Sequence, residues 1–199
     1  GGSELALACD WIVAGEKGTL GFPETGIGIY PGLGGTQRSA RRVGVPLARW
    51  LVASGEMVDA KTAKAMGLVD EVVASGELEA RCKARALSGE TRAERSPPTR
   101  APQGFEAAWR AFTWTSLYDL HKGLANLADE ALAKSVKKVT FKAPLALLAA
   151  DELVKLAGTA TLEEGLRAET EGLRRIFSSK DAYEGLSSLG TRRPSFKGQ

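Results

Sequence analysis

The chain has few of the residues that bind metals or form disulfides. Its 199 residues include one histidine, His121, and two cysteines, Cys9 and Cys82, which lie in unrelated contexts and form no C-x-x-C pair. These residues cannot build a zinc site, and we expect no bound metal. So few cysteines are typical of a reducing compartment, which predicts a cytoplasmic location.

Long apolar runs and concentrated charge are also missing. No hydrophobic run approaches the roughly 18 residues that a membrane-spanning helix needs, so we expect no membrane partner. The net charge is only +3, and 27 basic residues are scattered among 24 acidic ones. A protein that binds nucleic acid needs a concentrated basic surface, so none is expected as a partner. Heat-labile asparagine, glutamine and methionine are scarce, which indicates a thermophilic source.

The patterns that are present predict an α/β protein. Short helices alternate with short strands over residues 1–87, including a helix over Val45–Ser54 and another that Asp59 caps and Gly67 ends. Three prolines and mixed charge predict a linker or insertion loop at residues 88–104. Only helices are predicted over residues 105–199: over 105–120, over 124–139, from Pro144 onwards, and after a T-x-x-E capping box at Thr161.

A glycine-rich segment interrupts the first half of the chain. Residues 23–35, PETGIGIYPGLGG, hold five glycines and two prolines, which predicts a shaped loop rather than a helix. A helix follows as far as Val43, with Thr36 near its N-cap. The segment contains neither of the glycine motifs that bind nucleotide phosphates, G-x-x-x-x-G-K-[ST] and G-x-G-x-x-G.

Two glutamates stand out as candidate catalytic groups. Glu4 follows two glycines in the first turn of a helix, where unpaired backbone N–H groups can hold an oxyanion, and Glu24 lies at the mouth of the glycine-rich loop. Paired carboxylates with N–H donors can add water to an activated double bond. A glutamate in a first helical turn also stabilises the helix dipole, so these residues alone leave a hydro-lyase as one possibility among several.

The run GGSELALACDWIVAGEKGTLGFPETGIGIYPGLGGTQR, residues 1–38, resembles the signature block of the crotonase family, the enoyl-CoA hydratases and isomerases. The resemblance continues to Val73 and resumes at KAPLALLAADELVK and at residues 162–198. It implies a crotonase-like (ClpP/crotonase) spiral ββα core followed by a C-terminal helical region. By the same resemblance, Glu4 and Glu24 fall on the two catalytic glutamates, Gly1 on an oxyanion-hole N–H, and Gly32 on a glycine that positions water.

The resemblance also implies a coenzyme A site near the C-terminus. Leu189 stands where many members have phenylalanine, and Arg192 replaces a lysine that contacts coenzyme A, although Arg192 and Arg193 are also typical of plain surface charges. The family needs no cofactor, since coenzyme A is part of the acyl-CoA substrate. Its members form homotrimers or dimers of trimers.

The resemblance implies an enoyl-CoA hydratase of fatty acid β-oxidation, which adds water syn to trans-2-enoyl-CoA and forms 3-hydroxyacyl-CoA. The alternatives are a double-bond isomerase, a thioester or ring hydrolase of the same family, or a non-catalytic half that binds a partner. We expect residues 1–87 to form the second half of the core, with the first half absent, and residues 105–199 to form a helical insertion and the trimerisation and CoA-binding region. The long insertion over residues 88–140 resembles the hydratase part of archaeal fusions with 3-hydroxyacyl-CoA dehydrogenase.

Overall fold

The computed structural model describes residues 1–91, 95–123, 127 and 129–199. The α-helices in this part of the chain are α1 (Gly2–Leu7), α2 (Gly35–Val43), α3 (Val45–Ser54), α4 (Ala60–Ala65), α5 (Leu78–Leu87), α6 (Glu106–Trp114), α7 (Leu117–His121), α8 (Glu130–Lys137), α9 (Pro144–Leu156), α10 (Leu162–Phe177) and α11 (Lys180–Ser188). The strands are β1 (Val13–Gly15), β2 (Thr19–Leu20), β3 (Val58–Asp59) and β4 (Glu71–Val73). Short 3-10 helices cover Pro23–Ile27, Ser75–Glu77 and Lys138–Phe141.

The strands form two small sheets. β1 pairs in parallel with β4, so that Val13 lies opposite Glu71 and Gly15 opposite Val73. β2 pairs antiparallel with β3, with Leu20 opposite Val58. The fold therefore mixes α and β elements, as predicted, but helices dominate it. None of the described helices is both long and apolar enough to cross a membrane.

Local signals predicted several helices well. The predicted helix over Val45–Ser54 is α3, and Asp59 caps α4 by accepting a hydrogen bond from the Thr62 backbone N–H at 2.7 Å. Gly67 has φ +90° just after the C-cap of α4. The side chain of Thr161 accepts from the Glu164 backbone N–H in the predicted capping box of α10.

Other expectations need correction. The single helix predicted over residues 105–120 is divided into α6 and α7, because Thr115 is extended and the Ser116 hydroxyl caps a new helix by accepting from Tyr118 N–H. The prediction for α2, by contrast, is confirmed, since the helix ends at Val43 and Thr36 lies two residues after the N-cap, which is Gly34 in the left-handed region. The predicted helix over residues 124–139 starts in a part of the chain where residues 124–126 and 128 lie outside the described residues.

The hydrophobic core is centred on α3. Leu47, Leu51 and Val52 of this helix are almost fully buried, and α3 packs against α2, α6 and α9. Because several helices surround it, α3 is apolar around most of its circumference rather than along a single stripe.

One buried ion pair connects three of these helices. The Arg49 guanidinium of α3 contacts the Asp151 carboxylate of α9 at 2.5 Å and donates to the carbonyl groups of Phe112 and Thr115 at the end of α6. Only 4% of the Arg49 side chain is exposed. A buried guanidinium needs all of these partners, since an unpaired charge there is costly.

We therefore predict that Asp151→Ala lowers the free energy of unfolding by about 3–5 kcal/mol, because it leaves Arg49 buried without a counter-charge. Urea unfolding measures the change. Glu163→Ala is the control, since Glu163 pairs with Arg167 on the exposed surface of α10, where solvent screens the pair. Equal destabilisation by the two variants would contradict the importance of the Arg49–Asp151 pair.

Candidate active site

Glu4 is a buried carboxylate that the glycine-rich loop holds in place. It lies in the first turn of α1 and is only 2% exposed. Its Oε1 atom accepts hydrogen bonds from the backbone N–H groups of Leu33 at 2.8 Å and Gly35 at 3.1 Å. Two hydrogen bonds from a separate segment fix the orientation of this side chain.

Glu24 is partly buried and much less constrained. It lies in the first turn of the 3-10 helix Pro23–Ile27, and its side chain is 13% exposed. Its Oε2 atom is buried and has no hydrogen-bond partner among the described residues. A buried carboxylate oxygen without a protein partner is a candidate for binding water or substrate.

Glu4 and Glu24 both lie next to the nitrogen of Gly1. It lies 3.3 Å from Glu4 Oε2 and 3.4 Å from Glu24 Oε1, so both side chains border the same small volume. We call Glu4 and Glu24 the carboxylate pair. The structure thus places three of the residues predicted from the sequence, Gly1, Glu4 and Glu24, in one site.

The two members of the carboxylate pair have different surroundings, which suit them to different roles in proton transfer. Burial raises the pKa of Glu24 above its ordinary value, and the nearby negative charge of Glu4 raises it further. A carboxyl group with a raised pKa holds a proton closer to neutral pH, which suits a group that gives and takes protons. Glu4, with its two backbone hydrogen bonds, is the better-anchored acceptor.

A third carboxylate, Glu169 of α10, contacts the end of the glycine-rich loop and the start of α2. It is 1% exposed and accepts hydrogen bonds from the backbone N–H groups of Gly34 at 2.6 Å, Thr36 at 3.1 Å and Gln37 at 3.3 Å, as well as from the Thr36 hydroxyl. Burial raises the pKa of Glu169, although these hydrogen bonds oppose the shift. Glu169 therefore binds the N-terminus of α2, where backbone N–H groups would otherwise be unpaired.

The backbone N–H groups of residues 33–37, which we call the amide turn, are divided between the two buried glutamates. Leu33 and Gly35 donate to Glu4, whereas Gly34, Thr36 and Gln37 donate to Glu169. Glycine is required at two positions of this turn. Gly34 has φ +93°, and a Cβ atom on Gly35 would lie 2.7 Å from Glu4 Oε1.

Gly32 lies beside the amide turn, but its predicted role is not visible in the contacts. Within the described chain Leu33, the next residue, donates to Glu4, and no contact joins Gly32 to the carboxylate pair. A Cβ atom on Gly32 would lie 2.5 Å from the Leu173 side chain of α10. Glycine at this position thus allows α10 to pack closely against the loop.

The predicted coenzyme A residues lie at the C-terminal end of α11. Leu189 is 65% exposed and is the C-cap residue of this helix. Arg192 contacts Glu184 through two hydrogen bonds, at 2.5 and 2.8 Å. The Arg192 side chain and the Ser195 backbone N–H hold the pKa of Glu184 at about 2. Arg192 therefore has an acidic partner within its own chain, and no described contact connects it to the carboxylate pair.

Sequence reasoning did not identify Glu169 or the donors of the amide turn. One signal was present, because Gly165, Glu169, Gly172 and Ile176 follow helical spacing on α10 and place one carboxylate on a face of small and apolar residues. The Glu169 backbone carbonyl also accepts a hydrogen bond from the Tyr30 hydroxyl at 2.6 Å. A charged residue on such a face needs buried partners, and the sequence does not show which ones.

Comparison with known proteins agrees with this architecture. A family model described as "Enoyl-CoA hydratase/isomerase" matches residues 1–99. A probable enoyl-CoA hydratase of Rhizobium meliloti is 32% identical over 97% of this chain and 56% of its own length. The 2,3-dehydroadipyl-CoA hydratase of Escherichia coli is 31% identical over 100% of this chain and 58% of its own length.

A solved structure of similar fold supports this comparison. The crystal structure of an enoyl-CoA hydratase from Rhodobacter sphaeroides superposes with a TM-score of 0.79 at 22% identity, covering 99% of this chain and 60% of that one. The fold is therefore crotonase-like. The chain belongs to the enoyl-CoA hydratase/isomerase family, and it spans a little over half the length of the curated relatives it matches.

The electrostatics of the carboxylate pair give a direct prediction. In the wild-type protein Glu24 should titrate above 4.5, its ordinary value. Glu4→Gln should lower the pKa of Glu24 because it removes a neighbouring negative charge, and a part of the shift should remain because burial is the larger cause. Carboxyl 13C NMR titration measures both values.

Glu163→Gln serves as the control, since it removes a charge from the exposed surface of α10 and should leave the pKa of Glu24 unchanged. A Glu24 pKa that does not change in Glu4→Gln would show that the carboxylate pair is not electrostatically coupled.

Proposed function

We propose that the protein carrying this chain is an enoyl-CoA hydratase, which adds water across the 2,3 double bond of a trans-2-enoyl-CoA thioester. The observation that carries the proposal is the carboxylate pair itself. Glu4 is held by the Leu33 and Gly35 N–H groups, and the Oε2 atom of Glu24, whose pKa the charge of Glu4 raises, is buried and unpartnered among the described residues. The relative named as a probable enoyl-CoA hydratase, 32% identical over 97% of this chain, supports it.

Each group then has a chemical role. The Gly1 N–H donates to the thioester oxygen as charge develops on it in the enolate. Glu4, held by the amide turn, orients the water that attacks C3 and accepts a proton from it. Glu24, whose pKa burial raises, delivers a proton to C2. Water thus contributes OH to C3 and a proton to Glu4, C2 gains the proton of Glu24, and the double bond becomes a single bond. A proton then passes from Glu4 to Glu24 through the next water molecule, which restores both groups.

The proposal needs neither a metal nor a separate cofactor, because coenzyme A arrives as part of the substrate. We place Gly32 beside the attacking water, and Leu189 and Arg192 at the coenzyme A end of the substrate, where Arg192 would have to leave Glu184 to reach a phosphate. These three assignments rest on the family resemblance.

The oligomeric state, the pathway, the location and the domain assignment also stay predictions. Assembly into a homotrimer or dimer of trimers, a role in fatty acid β-oxidation and fusion to a 3-hydroxyacyl-CoA dehydrogenase rest on the resemblance alone. The cytoplasmic location rests on the low cysteine content. The assignment of residues 1–87 to the second half of the crotonase core rests on the resemblance. The share of the relatives that this chain covers, 56% and 58%, is consistent with a partial fold.

Substitution of either member of the carboxylate pair tests the function. In the intact protein, Glu4→Gln and Glu24→Gln should each lower kcat for hydration of crotonyl-CoA by about 10²–10⁴-fold, because each removes a proton-transfer group. Thioester binding, measured by calorimetry, should change little, since neither residue is expected to hold the coenzyme A portion. Glu163→Gln is the matched control.

Two results would contradict the assignment. One is unchanged turnover in both variants. The other is a wild-type protein that converts a 3-enoyl thioester to the 2-enoyl isomer but does not hydrate it, which would identify an isomerase.

A further inference from the structure

Glu24 depends on its backbone for its position. Its Oε2 atom has no hydrogen-bond partner among the described residues, and its Oε1 atom lies 3.4 Å from the Gly1 nitrogen, a long distance for a hydrogen bond. Glu4, by contrast, is held by hydrogen bonds of 2.8 and 3.1 Å from the amide turn. The contacts that hold the 3-10 helix Pro23–Ile27 therefore also determine where the Glu24 carboxyl group lies.

The 3-10 helix is fixed first through Thr25. This side chain is fully buried, and its hydroxyl group donates to the Val52 carbonyl of α3 at 3.0 Å. The Thr25 carbonyl accepts from the backbone N–H of Ala143, the N-cap residue of α9, at 3.0 Å. These two hydrogen bonds hold the start of the 3-10 helix and leave its end to other contacts.

The end of the 3-10 helix lies directly against the backbone of α11. A Cβ atom on Gly185 would lie 2.7 Å from the Cα atom of Ile27 and closer still to the Ile27 carbonyl group. A Cβ atom on Gly28, the C-cap residue of the 3-10 helix, would lie 2.7 Å from the Cα atom of Ala182. Neither surface has room for a side chain at this contact, so the two backbones meet directly.

The contact is connected to Glu24 by hydrogen bonds. The backbone N–H groups of Gly28 and Ile29 both donate to the Glu24 carbonyl, the latter at 3.2 Å. A displacement of the chain at residues 27–28 must therefore move the Glu24 backbone as well. Glycine disfavours the interior of a helix, and this contact gives a physical reason for Gly185 in the middle of α11.

Asp181 ties the C-terminal tail, residues 195–199, to the same part of α11. Its side chain is 2% exposed, and its two carboxylate oxygens accept from the backbone N–H groups of Lys197 and Gly198 at 2.8 and 2.9 Å. The Asp181 backbone carbonyl is also the group that a Cβ atom on Gly28 would meet first. The tail is thus bound to the residue of α11 that contacts the end of the 3-10 helix.

We propose that Gly185 and Asp181 are positioning residues for Glu24, so that α11 and the tail act on proton transfer through the 3-10 helix. This rests on the proposed function, which assigns to Glu24 the proton transfer to C2. A group that transfers a proton must lie within hydrogen-bond reach of the reacting atom, and a displacement of about 1 Å can lower the rate about 100-fold. The role differs from the coenzyme A binding that the resemblance implies for Leu189 and Arg192, beyond α11.

Gly185→Ala tests the contact directly. The added methyl group must displace Ile27 and with it the 3-10 helix, although alanine is the better helix former. In the full-length protein, kcat for crotonyl-CoA hydration should fall about 10–100-fold, while KM stays nearly unchanged. The pKa of Glu24, measured by carboxyl 13C NMR, should move towards its ordinary value, since burial and the charge of Glu4 raise it only at its present position.

Gly44→Ala is the matched control. A Cβ atom on Gly44 would lie 2.5 Å from the Trp109 ring, so this variant also forces a close contact, but at the opposite end of α2 from the amide turn. It should lower the midpoint of thermal unfolding and leave both kcat and the pKa of Glu24 unchanged. An equal pKa change in the two variants would assign the effect to general destabilisation and overturn the proposal.

Lys197→Pro is a second variant, at an exposed position where folding is not at risk. Proline removes the N–H group that binds Asp181 and leaves the Asp181 charge in place. The pKa of Glu24 should shift in the same direction as in Gly185→Ala, by a smaller amount. Lys197→Ala keeps the N–H group and should leave that pKa unchanged.

Thermal unfolding checks that each variant is folded. An unchanged pKa of Glu24 in a folded Gly185→Ala protein, or in Lys197→Pro if Gly185→Ala does not fold, would overturn the proposal. If Gly185→Ala shifts the pKa and Lys197→Pro does not, the assignment of Asp181 is wrong.

The NMR and kinetic measurements together separate this proposal from the proposed function. If the wild-type protein does not hydrate enoyl thioesters but Gly185→Ala still shifts the pKa of Glu24, the proposed function is wrong and the positioning of Glu24 stands. If hydration is observed and Gly185→Ala raises KM without changing kcat or the pKa of Glu24, α11 acts on coenzyme A binding. In that case the positioning proposal is wrong and the proposed function stands.

Discussion

The structure of the site depends on how the amide turn divides its five N–H groups between Glu4 and Glu169. The start of a helix leaves such groups unpaired, and here four of the five donors, those of residues 34–37, belong to buried residues. Glu4 of α1 takes two of them and Glu169 of α10 takes three. Each carboxylate is stable in its buried position because these donors are available, and the donors are satisfied because both carboxylates are present. The amide turn therefore connects α1 and α10, which are far apart in the sequence, through one set of hydrogen bonds.

This arrangement gives the two members of the carboxylate pair different properties. Glu4 is held on one side by the amide turn, whereas one oxygen of Glu24 has no partner in the described part of the chain. Their common neighbour, the Gly1 nitrogen, lies between them. One acceptor of fixed orientation and one carboxyl group of raised pKa form a chemically asymmetric site, as an addition that moves two protons requires.

The sequence predicted the features that depend on nearby residues. The bounds of α3, the Asp59 cap and the capping box of α10 arise from contacts three or four residues apart, which a pattern can show. Glu4 and Glu24 were found because they lie within a recognisable block of residues.

The features that escaped prediction depend on segments far apart in the chain. Glu169 is 133 residues from Thr36, so no pattern of neighbouring residues connects them. The division of the predicted helix over residues 105–120 shows a different limit. Its aromatic residues follow helical spacing, but a single serine cap at Ser116 competes successfully with the helix.

The central claim is that Glu4 and Glu169 act as one unit through the amide turn, and a double-mutant cycle tests it most directly. We would measure kcat for enoyl-CoA hydration in Glu4→Gln, Glu169→Gln and the double variant. Glu169→Gln should lower kcat by up to about 10²-fold, because Glu4 loses its alignment. The double variant should be no slower than Glu4→Gln alone. A wild-type kcat in Glu169→Gln, or effects that multiply in the double variant, would contradict the claim.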